Sequence, residues 1–140
     1  MSELKLDAKS TAVIVIDLQR GIASRETLPH AAASVVERSA EIADRFRRAG
    51  ALIVLVRVDL ANIVQPAADE PMRNPNDPPP PASASELVDD LGQQPSDLLI
   101  TKRYWDAFVG TELEQHLRDR KIESIILTGI ATNFGVESTA

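Results

Sequence analysis

The segment TAVIVID, residues 11–17, constrains this chain more than any other. Between its Thr and its Asp every residue is apolar and most are β-branched, so the segment has no polar face to turn toward water. A half-buried strand carries a polar residue at every second position. This one does not, and it reads as a strand buried on both faces. ALIVLVRVD at 51–59 is a second run of the same kind. Strands covered on both sides belong to parallel sheets packed between layers of helix.

The segments between the strands fit that plan. Ala32, Val35, Val36, Ser39, Ile42, Ala43, Phe46 and Ala49 recur at helical spacing with Glu and Arg among them, and Gly50 supplies a stop. DLLIT at 97–101 and SIILT at 124–128 read as a third and a fourth strand. Thr111 and Glu114 have the spacing of a capping box, which predicts a helix running to about Lys121. Thr132 or Asn133 is placed to cap a last helix. Residues 60–85 break the rhythm, with Pro66, Pro71, Pro75 and the prolines at 78–81 punctuating a polar stretch. Prolines cannot feed a sheet ladder, so a long irregular loop is expected there, followed by a brief helix at 85–91 ending at Gly92. The order is β-α-β-loop-β-α-β-α without internal repeats, an α/β fold around a parallel sheet.

The totals exclude several functions. A chain of 140 residues with 44% apolar and 26% charged residues has the size and composition of one globular domain. A net charge of −6 argues against nucleic acid, whose phosphates call for clustered Lys and Arg. The absence of cysteine removes disulfides, thiolate zinc sites and a cysteine nucleophile from these residues. The opening MSELKLDAKST is polar, and the longest apolar runs, 12–16 and 51–56, are too short to span a bilayer. A cytoplasmic protein that does not engage membranes is expected. His30 and His116 lack ligand-like spacing, and Asp59 is followed by Leu60 and Ala61 rather than a histidine, so no metal is expected.

In parallel sheets the ligand sits beyond the carboxyl ends of the strands. That rule singles out Asp17, Asp59, Lys102 and the corner at 129–135. Asp17 alone reads equally as a turn-capping aspartate, and Lys102 alone as a solvated lysine. Together at one sheet edge they can form a desolvated acid–base pair. Tyr104, Trp105 and Phe108 follow at once, three of the five aromatics (one Trp, one Tyr and three Phe in all). They read as a small cluster under a loop or as an apolar wall for a flat substrate. Gly129 and Gly135 bracket the corner, where a helix N-terminus can face an anion or a developing oxyanion. Ser138 lies deeper in the helix without a histidine near it and reads as structural.

TAVIVIDLQRG, ITKRYWDAFVGTELEQHLRDRKIESIILTGIATN and GVESTA strongly resemble the isochorismatase-like hydrolases. The resemblance rests on an Asp after the first strand, a Lys followed by an AF-x-GT-x-L segment, and a TG-x-x-T corner. It implies a three-layer α/β/α sandwich with strand order 3-2-1-4-5-6 and a homo-oligomer acting on a small molecule without a cofactor. It implies a single domain over residues 1–140 that ends inside the helix after the corner, with the last two strands absent. Most members are cysteine hydrolases with an Asp-Lys-Cys triad. Asp17 and Lys102 match the first two, and Gly135 stands at the position of the nucleophile. Trp105, Phe108, Ile130, Ala131, Thr132 and Asn133 are the residues expected around the substrate, with a cis peptide at Ile130–Ala131.

A thiolate mechanism is thereby lost. Isochorismatases proper, which cleave a vinyl ether, also carry Gly at that corner in the resemblance. Such cleavage needs an acid to protonate the terminal methylene carbon and a water to trap the oxocarbenium ion. Asp17 would be the acid. Lys102 would hold a substrate carboxylate or the departing pyruvate oxygen. Burial raises the pKa of Asp17 and Lys102 lowers it, and the sequence does not decide between them. The alternatives are an inactive member that binds a small molecule, and a structural subunit of an assembly with a catalytic partner.

Overall fold

A computed structural model describes residues 4–71 and 73–140. Strands β1 (Thr11–Ile16), β2 (Leu52–Val58), β3 (Leu98–Lys102) and β4 (Ser124–Gly129) form one parallel sheet in the order β3-β2-β1-β4. This is the 3-2-1-4 portion of the order that the resemblance implies. In register, Ile16 lies opposite Val56 on one side and Gly129 on the other, and Val58 lies opposite Lys102. The carboxyl ends of all four strands therefore meet at one edge.

The unbroken apolar character of β1 is explained by its place. It is central, and every one of its residues is buried. Val13 and Val15 pack toward helix α2 (Ala32–Arg48) against Val36 and Ala43, while Ala12, Ile14 and Ile16 pack on the other side. Their partners there are Ala107 and the Leu113 and Leu117 faces of α3 (Leu113–Asp119). Period-2 alternation thus distributes one strand between two apolar layers, which makes the three-layer sandwich. Truncating Ile14 to Ala would cost about 2–5 kcal/mol, the range for an aliphatic core residue.

Helix α2 ends where the sequence says. Gly50, at φ 92°, donates its N–H to the Arg47 carbonyl at 3.0 Å. Arg47 in turn grips Asp97 through Nε and Nη2, both at 2.8 Å, and the Asp97 side chain is 1% exposed. That buried bidentate pair ties the end of α2 to the start of β3. The exposed pairs Arg45–Glu41 and Arg48–Asp44 on the same helix are worth far less, about 0.3–0.5 kcal/mol each.

Several local expectations are corrected. The capping box does not form. Thr111 Oγ1 donates to the Ala107 carbonyl at 2.6 Å and accepts from Leu113 N at 3.3 Å, so the hydroxyl closes a turn ahead of the helix. Glu114 pairs with Arg118 instead of reaching back, and α3 stops at Asp119 rather than Lys121. The helix expected at 85–91 is two 3₁₀ turns, Ala82–Ser85 and Asp89–Leu91, separated by an antiparallel bridge between Gln19 and Leu87. A short helix α1 (Arg20–Ala23) follows β1 and was not foreseen. Residues 59–71 and 73–81 contain no helix or strand, as the prolines required. No helix among the described residues is long and apolar enough to cross a membrane.

Candidate active site

Asp17 is the first residue past β1. Its backbone stands at φ 58°, its N–H donates to the Val56 carbonyl at 2.9 Å, and its carbonyl accepts from Gln19 N at 2.9 Å. The tight turn directs the side chain across the sheet edge. Lys102 is the last residue of β3, with the width of β2 between it and β1. Neighbouring strands are about 4.8 Å apart, so only a long side chain bridges that gap. The Lys102 ammonium lies 3.0 Å from Asp17 Oδ2 and donates to the Trp105 carbonyl at 2.6 Å. The lysine side chain is 1% exposed and the aspartate 8%.

Asp17 Oδ1 is buried and has no hydrogen-bond partner among the described residues. Burial pushes the Asp17 carboxyl up to about 6, against the charge of Lys102 and its hydrogen bond, which pull it down. Burial therefore prevails in the competition that the sequence left open. The group titrates close to neutrality.

The corner closes the site from the β4 side. Gly129 stands at φ 138°, and a Cβ built there would lie 2.1 Å from the Ile16 carbonyl oxygen, so no side chain fits. The Ile130–Ala131 peptide is cis. Residues Thr132–Val136 form a π-type turn with Phe134 at φ −130°, ψ −106°, capped by the Ala131 backbone rather than by Thr132 or Asn133. A Cβ built on Gly135 would lie 2.8 Å from Asp17 Oδ2 and 2.8 Å from Lys102 Nζ. Position 135 thus points straight at the pair. Thr139 Oγ1 donates to the Gly135 carbonyl at 2.7 Å and accepts from Ala107 N at 3.1 Å, which ties the corner to the segment after β3.

These groups open onto a cavity of about 670 Å³. Asp17, Lys102, Gly135, Trp105, Ile130 and Ala131 all line it. Phe134 joins them, its ring edge-on to Trp105 with centroids 5.2 Å apart. The loop after β2 forms the opposite wall through Leu60, Ile63, Pro71 and Pro75.

Three expected residues lie elsewhere. Phe108 packs with the apolar cluster around Ile14 and Leu113, because Asp106 Oδ1 accepts from Phe108 N at 2.8 Å and turns the chain back into the core. The Thr132 and Asn133 side chains are exposed, because the wide turn rotates them outward as it brings Phe134 and Gly135 inward. Ser138 is also exposed, and His30 lines a separate small cavity beside α2.

Sequence reasoning missed Gln19. It is fully buried, accepts from Val58 N at 2.8 Å, and donates to the carbonyls of Val58 at 2.9 Å and Ala84 at 3.2 Å. It pins the end of β2 and the 82–87 segment to the start of α1. A polar residue three positions past the apolar run of β1 was the available signal. Arg25 and Arg73, both on the cavity wall, carried none.

The isochorismatase domain matches residues 11–140. The uncharacterized isochorismatase family protein YecD of Escherichia coli O157:H7 is 45% identical over 98% of this chain and 73% of its own length. The uncharacterized isochorismatase family protein YwoC of Bacillus subtilis is 41% identical over all of this chain and 73% of its own length. A solved isochorismatase family protein from Burkholderia thailandensis superposes with a TM-score of 0.82 at 40% identity, covering 94% of this chain and 70% of that one. With the sheet order, the strand-end site and likeness of this extent in agreement, this chain belongs to the isochorismatase family.

Proposed function

We propose that the chain is a hydrolase of small vinyl ethers that works by acid–base chemistry at Asp17 and Lys102, without a covalent intermediate. The observation that carries this reading is the space at position 135. The resemblance sets the family's nucleophile there, yet a glycine occupies it, and a Cβ would already crowd both charged groups at 2.8 Å. With no side chain at the corner, the pair faces the cavity without a thiol between them and the substrate.

Protonated Asp17 delivers its proton to the terminal methylene carbon of the vinyl ether. The C=C electron pair takes up that proton, and the adjacent carbon becomes an oxocarbenium ion. Water adds to that carbon and returns a proton to Asp17. The hemiketal then collapses: its hydroxyl proton passes to the departing oxygen, directly or by way of Asp17, as the C–O bond breaks, which leaves the ketone and the alcohol. Lys102 holds the oxygen that gathers negative charge as the alcohol departs. With its pKa near 6, about a tenth of Asp17 carries the proton at pH 7, enough for turnover and easily regenerated. Trp105, Phe134 and Ile130 place an apolar wall beside the pair, suited to the carbon skeleton of the substrate.

The test is turnover of a panel of enol-pyruvyl and simpler vinyl ethers, beside a panel of primary amides. Release of the ketone by the parent, abolished in Asp17→Asn, is expected. Amide hydrolysis without any vinyl-ether cleavage would overturn the reading.

A further inference from the structure

We propose that Thr139 is a positioning residue, whose buried hydroxyl clasps the segment after β3 to the corner at Gly135 and thereby sets how closely Lys102 approaches Asp17. The inference rests on reading Asp17 and Lys102 as the working pair, and it assigns their spacing to a group that bonds to neither. Residues 103–112 contain no helix or strand, so no ladder holds them. Side chains hold the stretch 105–108 instead. The Trp105 carbonyl accepts from Lys102 Nζ at 2.6 Å, Phe108 N donates to Asp106 Oδ1 at 2.8 Å, and the Ala107 carbonyl accepts from Thr111 Oγ1 at 2.6 Å. Those bonds are local and shape the stretch. The bond from Ala107 N to Thr139 Oγ1, at 3.1 Å, reaches across 32 residues.

The same oxygen donates to the Gly135 carbonyl at 2.7 Å, and Thr139 is 6% exposed. A threonine that bonds the carbonyl four residues back is a common feature of helices. This one also accepts from a second segment, so a single hydroxyl joins the corner to the stretch that carries the acceptor of Lys102. Ala107 lies two residues past Trp105. Freeing the Ala107 N–H lets the Trp105 carbonyl shift, and the ammonium on its flexible stem follows it away from Asp17. Withdrawing an opposite charge from a carboxyl group favours its protonated form. Arg25, Glu26, Arg73 and Tyr104 also line the cavity, and the corner presents no titratable side chain there. The charge that acts on Asp17 is that of Lys102.

The experiment reads the pair without substrate. The Asp17 carboxyl carbon of the isotope-labelled full chain is titrated by NMR, its signal being the one lost in Asp17→Asn. In the parent the midpoint lies at about 6. Thr139→Val and Thr139→Ala should raise it by about half a pH unit or more, part of the roughly one to three units that a neighbouring opposite charge produces. Thr139→Ser keeps the hydroxyl and should restore the parent midpoint. Ile53→Ala, in the core at the far end of β2, should lower the melting temperature and leave the midpoint in place. In Lys102→Met, adding Thr139→Val should move the midpoint no further, because no ammonium remains to displace. An unmoved or lowered midpoint in Thr139→Val, no recovery in Thr139→Ser, or an equal shift with and without Lys102 would overturn the inference. Loss of folding in both Thr139→Val and Thr139→Ala would overturn it too, since Thr139 would then serve stability. A Thr139-dependent midpoint in a protein that cleaves no vinyl ether would sink the proposed reaction and leave this inference standing. Vinyl-ether cleavage with a midpoint indifferent to Thr139 would do the reverse.

Discussion

Lys102 Nζ stands 3.0 Å from Asp17 Oδ2 although the strands that carry them are not neighbours. The contact spans β2, and it exists because the register sets Ile16, Val56 and Ile100 side by side, so that Asp17 and Lys102 lie one and two residues further on at a common edge. A buried ion pair is poor evidence of stabilisation, since desolvation offsets its attraction. Its value here is chemical: it holds a carboxyl group whose proton is exchangeable near neutrality.

The first prediction is a pH profile. The proposed reaction uses protonated Asp17, whose pKa is raised to about 6 by burial. The catalytic efficiency kcat/KM on a vinyl ether should fall about tenfold per pH unit above that value and level off below it. A base-assisted mechanism at the same residue gives the opposite slope. Initial rates between pH 5 and pH 8 distinguish them.

Stability should also depend on pH through this residue. The folded pKa lies above the unfolded value of 3.8, so the folded state holds the proton more firmly. Asp17 therefore favours folding most below the unfolded value, and that contribution is lost as pH rises through about 6. Lys102→Met removes the group that pulls the pKa down, which raises it further and widens the window. The variant should lose more stability at pH 8 than at pH 5, by about 3 kcal/mol, as expected for a buried charge left without its partner. Urea unfolding at the two pH values measures the difference.

Gly135→Ala should part the pair. The added methyl would lie within 2.8 Å of both charged groups, so the side chains must retract. With Lys102 farther away, the Asp17 pKa rises above 6 and the kcat/KM profile shifts to higher pH. Gly135→Cys should lower vinyl-ether cleavage in the same way and create no amidase. Fast thiol alkylation together with new amide turnover in that variant would instead identify a lapsed cysteine hydrolase.

Gln19→Leu tests the frame around the cavity. It leaves Val58 N–H and two carbonyls without the partners they have now. A cost of about 1–3 kcal/mol is expected for the buried groups left unsatisfied. Because Gln19 also anchors the 82–87 segment, KM should rise more than kcat falls. Denaturant unfolding and steady-state kinetics read the two effects separately.

Some of this was open in the amino-acid sequence. The runs at 11–17 and 51–59 become β1 and β2 within a residue at each end, because continuous apolar β-branched character is a local property and admits few other arrangements. The α2 stop at Gly50 and the irregular proline segment were legible for the same reason: both depend on backbone freedom at the residue itself. The juxtaposition of Asp17 and Lys102 followed once parallel strands were accepted, since both end at one edge.

Other features were settled only when the chain packed. Phe108 and Phe134 are alike in sequence terms, yet Phe108 enters the core and Phe134 faces the cavity. The difference comes from an aspartate turn at Asp106 and a wide turn at Thr132–Val136, and Thr139 ties the two together through Ala107 N and the Gly135 carbonyl. Thr111 had the spacing of a cap but found the Ala107 carbonyl instead. Arg25 and Arg73 are unremarkable charges in a linear chain and share a cavity wall only in the fold. The strands, the sheet type and the edge at which chemistry gathers were already set in the order of the residues, because hydrophobic periodicity is written residue by residue. The protonation of Asp17, the closed space at Gly135 and the aromatic wall were decided by the tertiary structure, because desolvation and steric fit depend on atoms that the sequence places far apart.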